Sequence, residues 1–179
     1  KQYFLPRLAS GEIIGSFCLT EPGSGSDAAS LKTTAVKDGD EYILNGTKRF
    51  ITNAPHAGAF TVMARTNLEL KGSAAISAFI VDSKTPGISL GKRDKKMGQK
   101  GAHTCDVIFE NCRIPASALI GGVEGVGFKT AMKVLDKGRI HIAALSVGAA
   151  TRMLDDSLQY AVERKQFGQA IANFQLIQG

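Results

Sequence analysis

The stretch Phe17–Ser30, FCLTEPGSGSDAAS, opens as a buried strand should and then becomes a loop of small residues holding two acids, Glu21 and Asp27. Glycine lets a backbone approach a ligand closely, and successive N–H groups in such a turn form a concavity suited to anionic oxygen, so phosphate is the first chemistry to weigh. A hairpin connection whose Gly and Ser only meet turn geometry is the alternative, and the loop alone leaves both open. Further along, NGTKRFITNA sets an aromatic, Phe50, close to a hydroxyl, Thr52. Asp136 and Arg139 stand three apart in a helical pattern and can share a face, for a ligand or as a plain surface ion pair. ERKQF offers the guanidinium fork of Arg164, which suits pyrophosphate, or basic residues that only complement a helix C-terminus.

Other chemistries are poorly supplied. The three cysteines, Cys18, Cys105 and Cys112, have no CxxC spacing and form no zinc or nucleophile constellation with the three histidines, so no metal is expected and the thiols read as reduced packing residues. The net charge of +6 is spread widely, and its one cluster, GKRDKKMGQK at Gly91–Lys100, reads as a solvated loop rather than a nucleic-acid surface. No apolar run approaches the ~20 residues of a membrane span, and KQYFLPRLASGE lacks the apolar core of a signal peptide.

The elements that must position these residues change character along the chain. Lys1–Glu12 reads as the tail of a helix ending near Ser10 and Gly11. From Ile13 to about Ile120 the segments IIGSFCLT, SLKTTAVKDG, EYILNGTKRFIT, AFTVMART, AISAFIVDS and CDVIFENCRIP are β-branched and aromatic between turn signals, with Asp38-Gly39 and Asn45-Gly46 as short-turn signals. Six or more such strands predict a barrel or sandwich of two packed sheets. From about Val126 to Lys165 apolar residues recur at helical spacing, among them Phe128, Met132, Leu135, Ile142, Leu145, Met153 and Leu158, and predict one helix too long to bury its apolar face on a domain of this size. NFQLIQG reads as the start of a second, antiparallel helix, and both ends of the chain are expected to be cuts through a larger protein.

Together these pieces resemble the acyl-CoA dehydrogenase family over essentially the whole chain. CLTEPGSGSDAAS resembles its middle-domain signature, NGTKRFITNA its second flavin segment, LDKGRI its acyl-CoA-contacting helix segment and ERKQFGQAIANFQ its subunit-bridging flavin motif. The implied fold is α+β: residues 1–12 end an N-terminal helical domain, 13–122 form an all-β, barrel-like middle domain of two packed sheets, and 123–179 begin a C-terminal four-helix bundle. The resemblance implies FAD lined by Phe17, Cys18, Leu19, Thr20, Gly25 and Ser26, with Thr20 at the pyrimidine edge of the ring and Ser26 also touching the CoA ligand. Phe50, Ile51 and Thr52 would form the second flavin segment, with Phe50 where Trp is commoner. Asp136 and Arg139 would lie near the adenosine end of CoA, and Arg164, Gln166, Phe167 and Gln175 would reach the FAD of a neighbouring subunit.

The implied reaction is α,β-dehydrogenation of a short or branched acyl-CoA, with electrons passed to an electron transfer flavoprotein. No catalytic residue is expected in this chain. The base is expected beyond Gly179, because the position where a minority of the family carries a helix Glu is Gly138, and Glu21 and Asp27 are expected to hold their own loop. The fragment is therefore expected to be inactive alone, and the full protein a homotetramer of the bacterial cytoplasm or mitochondrial matrix. A flavin-dependent oxidase or monooxygenase of the same superfamily, and a noncatalytic binding module, are the alternative readings.

Overall fold

The computed structural model describes Lys1–Gly179. A short helix α1, Phe4–Ala9, closes at Ser10 and Gly11, whose φ of 76° reverses the chain. Seven strands follow: β1 Ile14–Cys18, β2 Thr34–Asp38, β3 Glu41–Thr52, β4 Ala57–Arg65, β5 Ile76–Asp82, β6 Ile88–Leu90 and β7 Thr104–Pro115. They make one mixed sheet, ordered β1-β4-β2-β3-β7-β6 with β5 also on β4, curled into a half-barrel. The expected barrel-like β-domain is present, and its strands are joined through a single hydrogen-bonded network. β6 is three residues long, too short to carry a readable alternation.

β4 shows why the sheet holds together. It runs parallel to β1, Ile14–Cys18, on one side and antiparallel to β5 on the other. Phe60, Val62 and Ala64 enter one apolar cluster with Cys18, Leu44, Phe79, Val107 and Phe109, while Met63 faces a second with Leu19, Leu31, Ile76 and Ala78. A strand buried on both faces reads as a largely apolar run, as AFTVMA does apart from the part-buried Thr61.

Asp38-Gly39 behaves as its sequence suggests: Gly39, at φ 61°, opens a two-residue turn that pairs Asp38 with Glu41. Asn45-Gly46 does not. It lies inside the 12-residue β3, where the register against β7 slips between Leu44 and Gly46, a bulge rather than a turn. The glycine is needed because the backbone of Thr33 crosses there. A Cβ on Gly46 would sit 2.5 Å from Thr33 Oγ1 and 2.7 Å from its Cα, at a φ of 147°.

The expected long helix, α2, runs Gly127–Glu163. Its first turns belong to a compact unit, Lys1–Met132, in which Phe128, Ala131 and Met132 join the second apolar cluster. Gly127 is required there, since a Cβ would stand 2.3 Å from the Ser77 carbonyl carbon. Lys133–Gly179 is a second unit. In it the helix gives way to a hairpin of β8, Lys165–Gln166, and β9, Gln169–Ala170, through Phe167 and Gly168, both at positive φ. The sequence reading missed this hairpin, and of the expected second helix one turn, α3 Gln175–Gln178, is present. No helix is long and apolar enough to cross a membrane.

Gly46→Ala should destabilise the protein by ~1–3 kcal/mol, the usual range for overpacking a closed site. Gly98→Ala, where a Cβ meets nothing within 4 Å, should stay within about 0.5 kcal/mol of the parent in the same urea titration.

Candidate functional site

The signature loop is fastened to β3 by three consecutive residues. Lys48 Nζ donates to Leu19 O at 3.2 Å, Arg49 N donates to Thr20 O at 2.8 Å, and Lys48 Nζ donates to Glu21 Oε1 at 2.8 Å. Glu21 Oε1 also accepts from Thr33 N at 2.9 Å and Thr33 Oγ1 at 2.5 Å, and Oε2 accepts from Lys32 N at 2.6 Å. Lys48 is 0% exposed and Glu21 7%. Burial pushes the Glu21 carboxyl up, but the Lys48 charge and the hydrogen bonds from Lys48, Thr33 and Lys32 outweigh it and hold the group below its ordinary value. Burial pulls the Lys48 ammonium down against the opposing attraction of Glu21. Asp27, as expected, serves its own loop: its carboxylate accepts from Ser30 Oγ and its carbonyl from Ser24 Oγ.

Beyond Lys48 the register of β3 on β7 slips again, up to Ile51. Phe50 sits in this second bulge at φ 58°, a left-handed conformation that is unusual for a bulky residue, and the residue is 62% exposed. The bulge is held from several sides. The Arg49 guanidinium donates to both carboxylate oxygens of Asp106, at 3.1 and 2.8 Å, and Ser16 Oγ donates to Thr52 O at 2.7 Å. Asn53 N donates to His103 O at 2.8 Å, and His56 Nε2 lies 3.0 Å from His103 Nδ1.

β1 and β3 thus bring the two expected segments side by side, Thr20 against Arg49 and Ser16 against Thr52. Cys18, Leu19 and Ile51 point into the core and can offer a ligand only their backbone; burial lifts the Cys18 thiol to about 12. The hydroxyls divide into two sets. Ser16, Ser24, Ser30 and Thr33 spend theirs inside the chain, whereas Thr20, Ser26 and Thr52 make no side-chain hydrogen bond. Gly25 has neither a left-handed φ nor any atom within 4 Å of an added Cβ. Neither turn geometry nor internal packing accounts for that glycine, which favours the close-approach reading of the loop.

In the second unit Asp136 and Arg139 share one helix face, 4.0 Å apart and well exposed. Arg164 follows the last helical turn, with its N bonded to Tyr160 O and its carbonyl accepting from Ile171 N. Phe167, 93% exposed, packs edge-on to Phe174, and Gln166, Phe167, Phe174 and Gln175 border one apolar depression.

Sequence reasoning missed Lys48, Ser16 and the Arg49–Asp106 pair. A signal for Lys48 was present: it follows Tyr42, Leu44 and Gly46 in the alternate positions of β3, so a cation falls on the apolar face and needs a buried acid.

Residues 16–112 match the acyl-CoA dehydrogenase middle domain and residues 125–179 the acyl-CoA dehydrogenase C-terminal domain. The chain belongs to the acyl-CoA dehydrogenase family. It is 49% identical over 178 residues to the mitochondrial isobutyryl-CoA dehydrogenase of Dictyostelium discoideum, covering 99% of this chain and 42% of that one. It is also 49% identical over 180 residues to the NADH acryloyl-CoA reductase of Anaerotignum propionicum, covering 99% and 45%. A glutaryl-CoA dehydrogenase of Mycobacterium smegmatis, solved in complex with FADH2, superimposes with a TM-score of 0.87 at 36% identity, covering 99% of this chain and 44% of that one. The chain spans about half the length of the curated relatives it matches.

Because the folded state holds Glu21 ionised, its stabilising contribution is fully present above the unfolded carboxyl value of about 4.3 and is lost as pH falls through the lower folded value. Glu21→Gln leaves Lys48 buried without its counter-ion and should cost ~3–5 kcal/mol at pH 7. Acid titrations of urea stability should show a shallower loss below about pH 4 in the variant than in the parent.

Proposed function

We propose that the full-length protein is an FAD-dependent acyl-CoA dehydrogenase in which this chain supplies most of the flavin cradle and part of the CoA site. The observation that carries the reading is that Thr20, Ser26 and Thr52 keep hydroxyls free of any internal hydrogen bond in two segments that Arg49 N–Thr20 O and Ser16 Oγ–Thr52 O tie together, with exposed Phe50 in the second. These residues fit a flavin: an aromatic for the ring face, hydroxyl donors for its polar edge, and a bare glycine loop for close backbone approach. Bound FAD would supply the two-electron acceptor that no side chain can provide.

The chain's own residues orient and bind. Thr20 and Thr52 would donate to the flavin's polar edge, Phe50 would cover its ring, and Phe17, Cys18, Leu19, Gly25 and Ile51 would complete the wall, the buried members through their backbone. Ser26 would also meet the thioester ligand, Asp136 and Arg139 the adenosine end of CoA, and Arg164, Gln166, Phe167 and Gln175 the FAD of a neighbouring subunit. The division into residues 1–12, 13–122 and 123–179 goes with this reading. So do a tetrameric assembly and an electron transfer flavoprotein as acceptor, both implied by the resemblance. No base is assigned within the chain: Glu21 is committed to Lys48 and Thr33, Asp27 to Ser30, and Gly138 carries no side chain. We place the base outside these residues.

Two of the relatives at 49% identity carry names for opposite directions of the reaction, so the experiment must separate them. Anaerobic mixing of the full-length holoprotein with short and branched saturated acyl-CoA esters should bleach the flavin band. A protein that instead leaves the oxidised flavin untouched, and is reoxidised by 2-enoyl-CoA after chemical reduction, is a reductase.

Thr20→Val should weaken the reduced flavin's binding by ~1–3 kcal/mol, the cost of one lost buried hydrogen bond. Redox titration with bound-flavin quantitation checks this. Unchanged potential and FAD affinity in both Thr20→Val and Thr52→Val would remove the two residues from the site.

A further inference from the structure

We infer that Lys48 and Glu21 are positioning residues for Thr20, holding the Leu19–Thr20–Glu21 backbone so that Thr20 faces a ligand edge that gains negative charge on reduction. This rests on the flavin reading above.

The pair calls for an account beyond stability. A buried ion pair rarely outperforms an apolar pair of similar volume, because the desolvation of both charges offsets their attraction. Here the site lies beside a complete apolar cluster of Leu19, Leu31, Met63 and Ile76, where further hydrocarbon would pack well. What charges provide and hydrocarbon does not is a fixed set of directions. The Lys48 ammonium has one donor on Leu19 O and another on Glu21 Oε1, so it spans the two residues that flank Thr20. The Glu21 carboxylate is anchored by Lys32 and Thr33, which ties the span to the entry of β2. Thr20 O in turn accepts from Arg49 N, the residue next to Lys48. Three consecutive loop residues are therefore set by two consecutive residues of β3. Their placement also fixes Thr20 relative to the bulge that presents Phe50 and Thr52.

There is an electronic side as well. Leu19 O belongs to the peptide unit whose N–H is that of Thr20, and an ammonium on the oxygen polarises that unit, making its N–H a stronger donor. The effect grows with negative charge on the acceptor, so it favours a reduced ligand over an oxidised one. A purely structural role for the pair would not distinguish the two.

The test uses the full-length holoprotein. The double variant Glu21→Gln/Lys48→Met removes both charges together while keeping one acceptor oxygen, enough for Thr33 or for Lys32 but not for both, and avoids the unpaired buried charge of either single change. Thr33→Val, close to isosteric, loses one donor to Glu21 and serves should the double variant fail to fold. Tyr42→Phe breaks the 2.5 Å bond to Glu124 elsewhere in the sheet and controls for general destabilisation. FAD dissociation constants and two-electron midpoint potentials are measured at one temperature well below each unfolding transition. The double variant should bind FAD about ten-fold more weakly and shift its potential down by about 30 mV, a further ten-fold against the reduced form. Thr33→Val should shift both in the same direction by about two- to three-fold, and Tyr42→Phe neither. A folded double variant or Thr33→Val protein with parental affinity and potential overturns the inference, as does an equal shift in Tyr42→Phe. A parent protein that neither carries nor takes up flavin overturns the reading of the site itself.

Discussion

A lysine ammonium with no exposed surface sets the terms for the rest of this sheet. Removing such a charge from water costs several kcal/mol, and the fold is stable only if its partners are met with good geometry. Lys48 meets them at Glu21 and Leu19 O, and Glu21 at Thr33, Lys32 and Lys48. The end of β1, the entry to β2 and the middle of β3 must then converge on one point. A slip of β3 by one residue would turn Lys48 outward and bring Thr47 or Arg49 in, so the pair specifies register as well as position. The same convergence brings Thr33 across β3 and leaves room only for glycine at position 46.

The strained end of β3 follows from this. A bulky residue in the left-handed region costs on the order of 1–3 kcal/mol and persists only where its surroundings over-determine it. Around Phe50 they do: Arg49 is held by Thr20 O and by Asp106, Thr52 by Ser16, and Asn53, itself at φ 63°, by His103. The exposed ring is thus presented by a rigid frame rather than by a flexible loop. That is the arrangement expected where an aromatic has to meet a ligand at a fixed angle.

The sequence made the strands legible because β-branched alternation between turn signals is a local property; the bounds of β3, Glu41–Thr52, match the segment EYILNGTKRFIT residue for residue. It misled at Asn45-Gly46, where the same dipeptide that makes a tight turn also makes a bulge, and only the crossing of Thr33 decides between them. The hydroxyls show the same limit. FCLTEPGSGSDAAS contains four, and nothing local separates Thr20 and Ser26, which stay unspent, from Ser24 and Ser30, which the loop consumes. Glu21 was recognisable as a structural acid, but its partner is 27 residues away. A long-range pair of this kind is visible in sequence only through the anomaly of a cation on an apolar face.

The charged residues proposed to meet the ligands are carried differently. Asp136, Arg139 and Arg164 lie on or just after α2, past the point where its apolar side chains find partners within the chain. Ile142, Leu145, Met153 and Leu158 are each more than half exposed there. A helix of this length with Gly138 and Gly148 in its exposed interior gives up about 1 kcal/mol at each relative to alanine. Most helix stability comes from packing an apolar face, so this one depends on surface supplied by the rest of the protein or by another copy. The candidate residues of the two units therefore differ in kind. Thr20, Phe50 and Thr52 are fixed by bonds internal to the sheet, whereas the placement of the cationic groups on the helix is linked to assembly. On the proposed reading, ligand binding through Arg139 and Arg164 and the association of the helical parts would share one free energy, each strengthening the other.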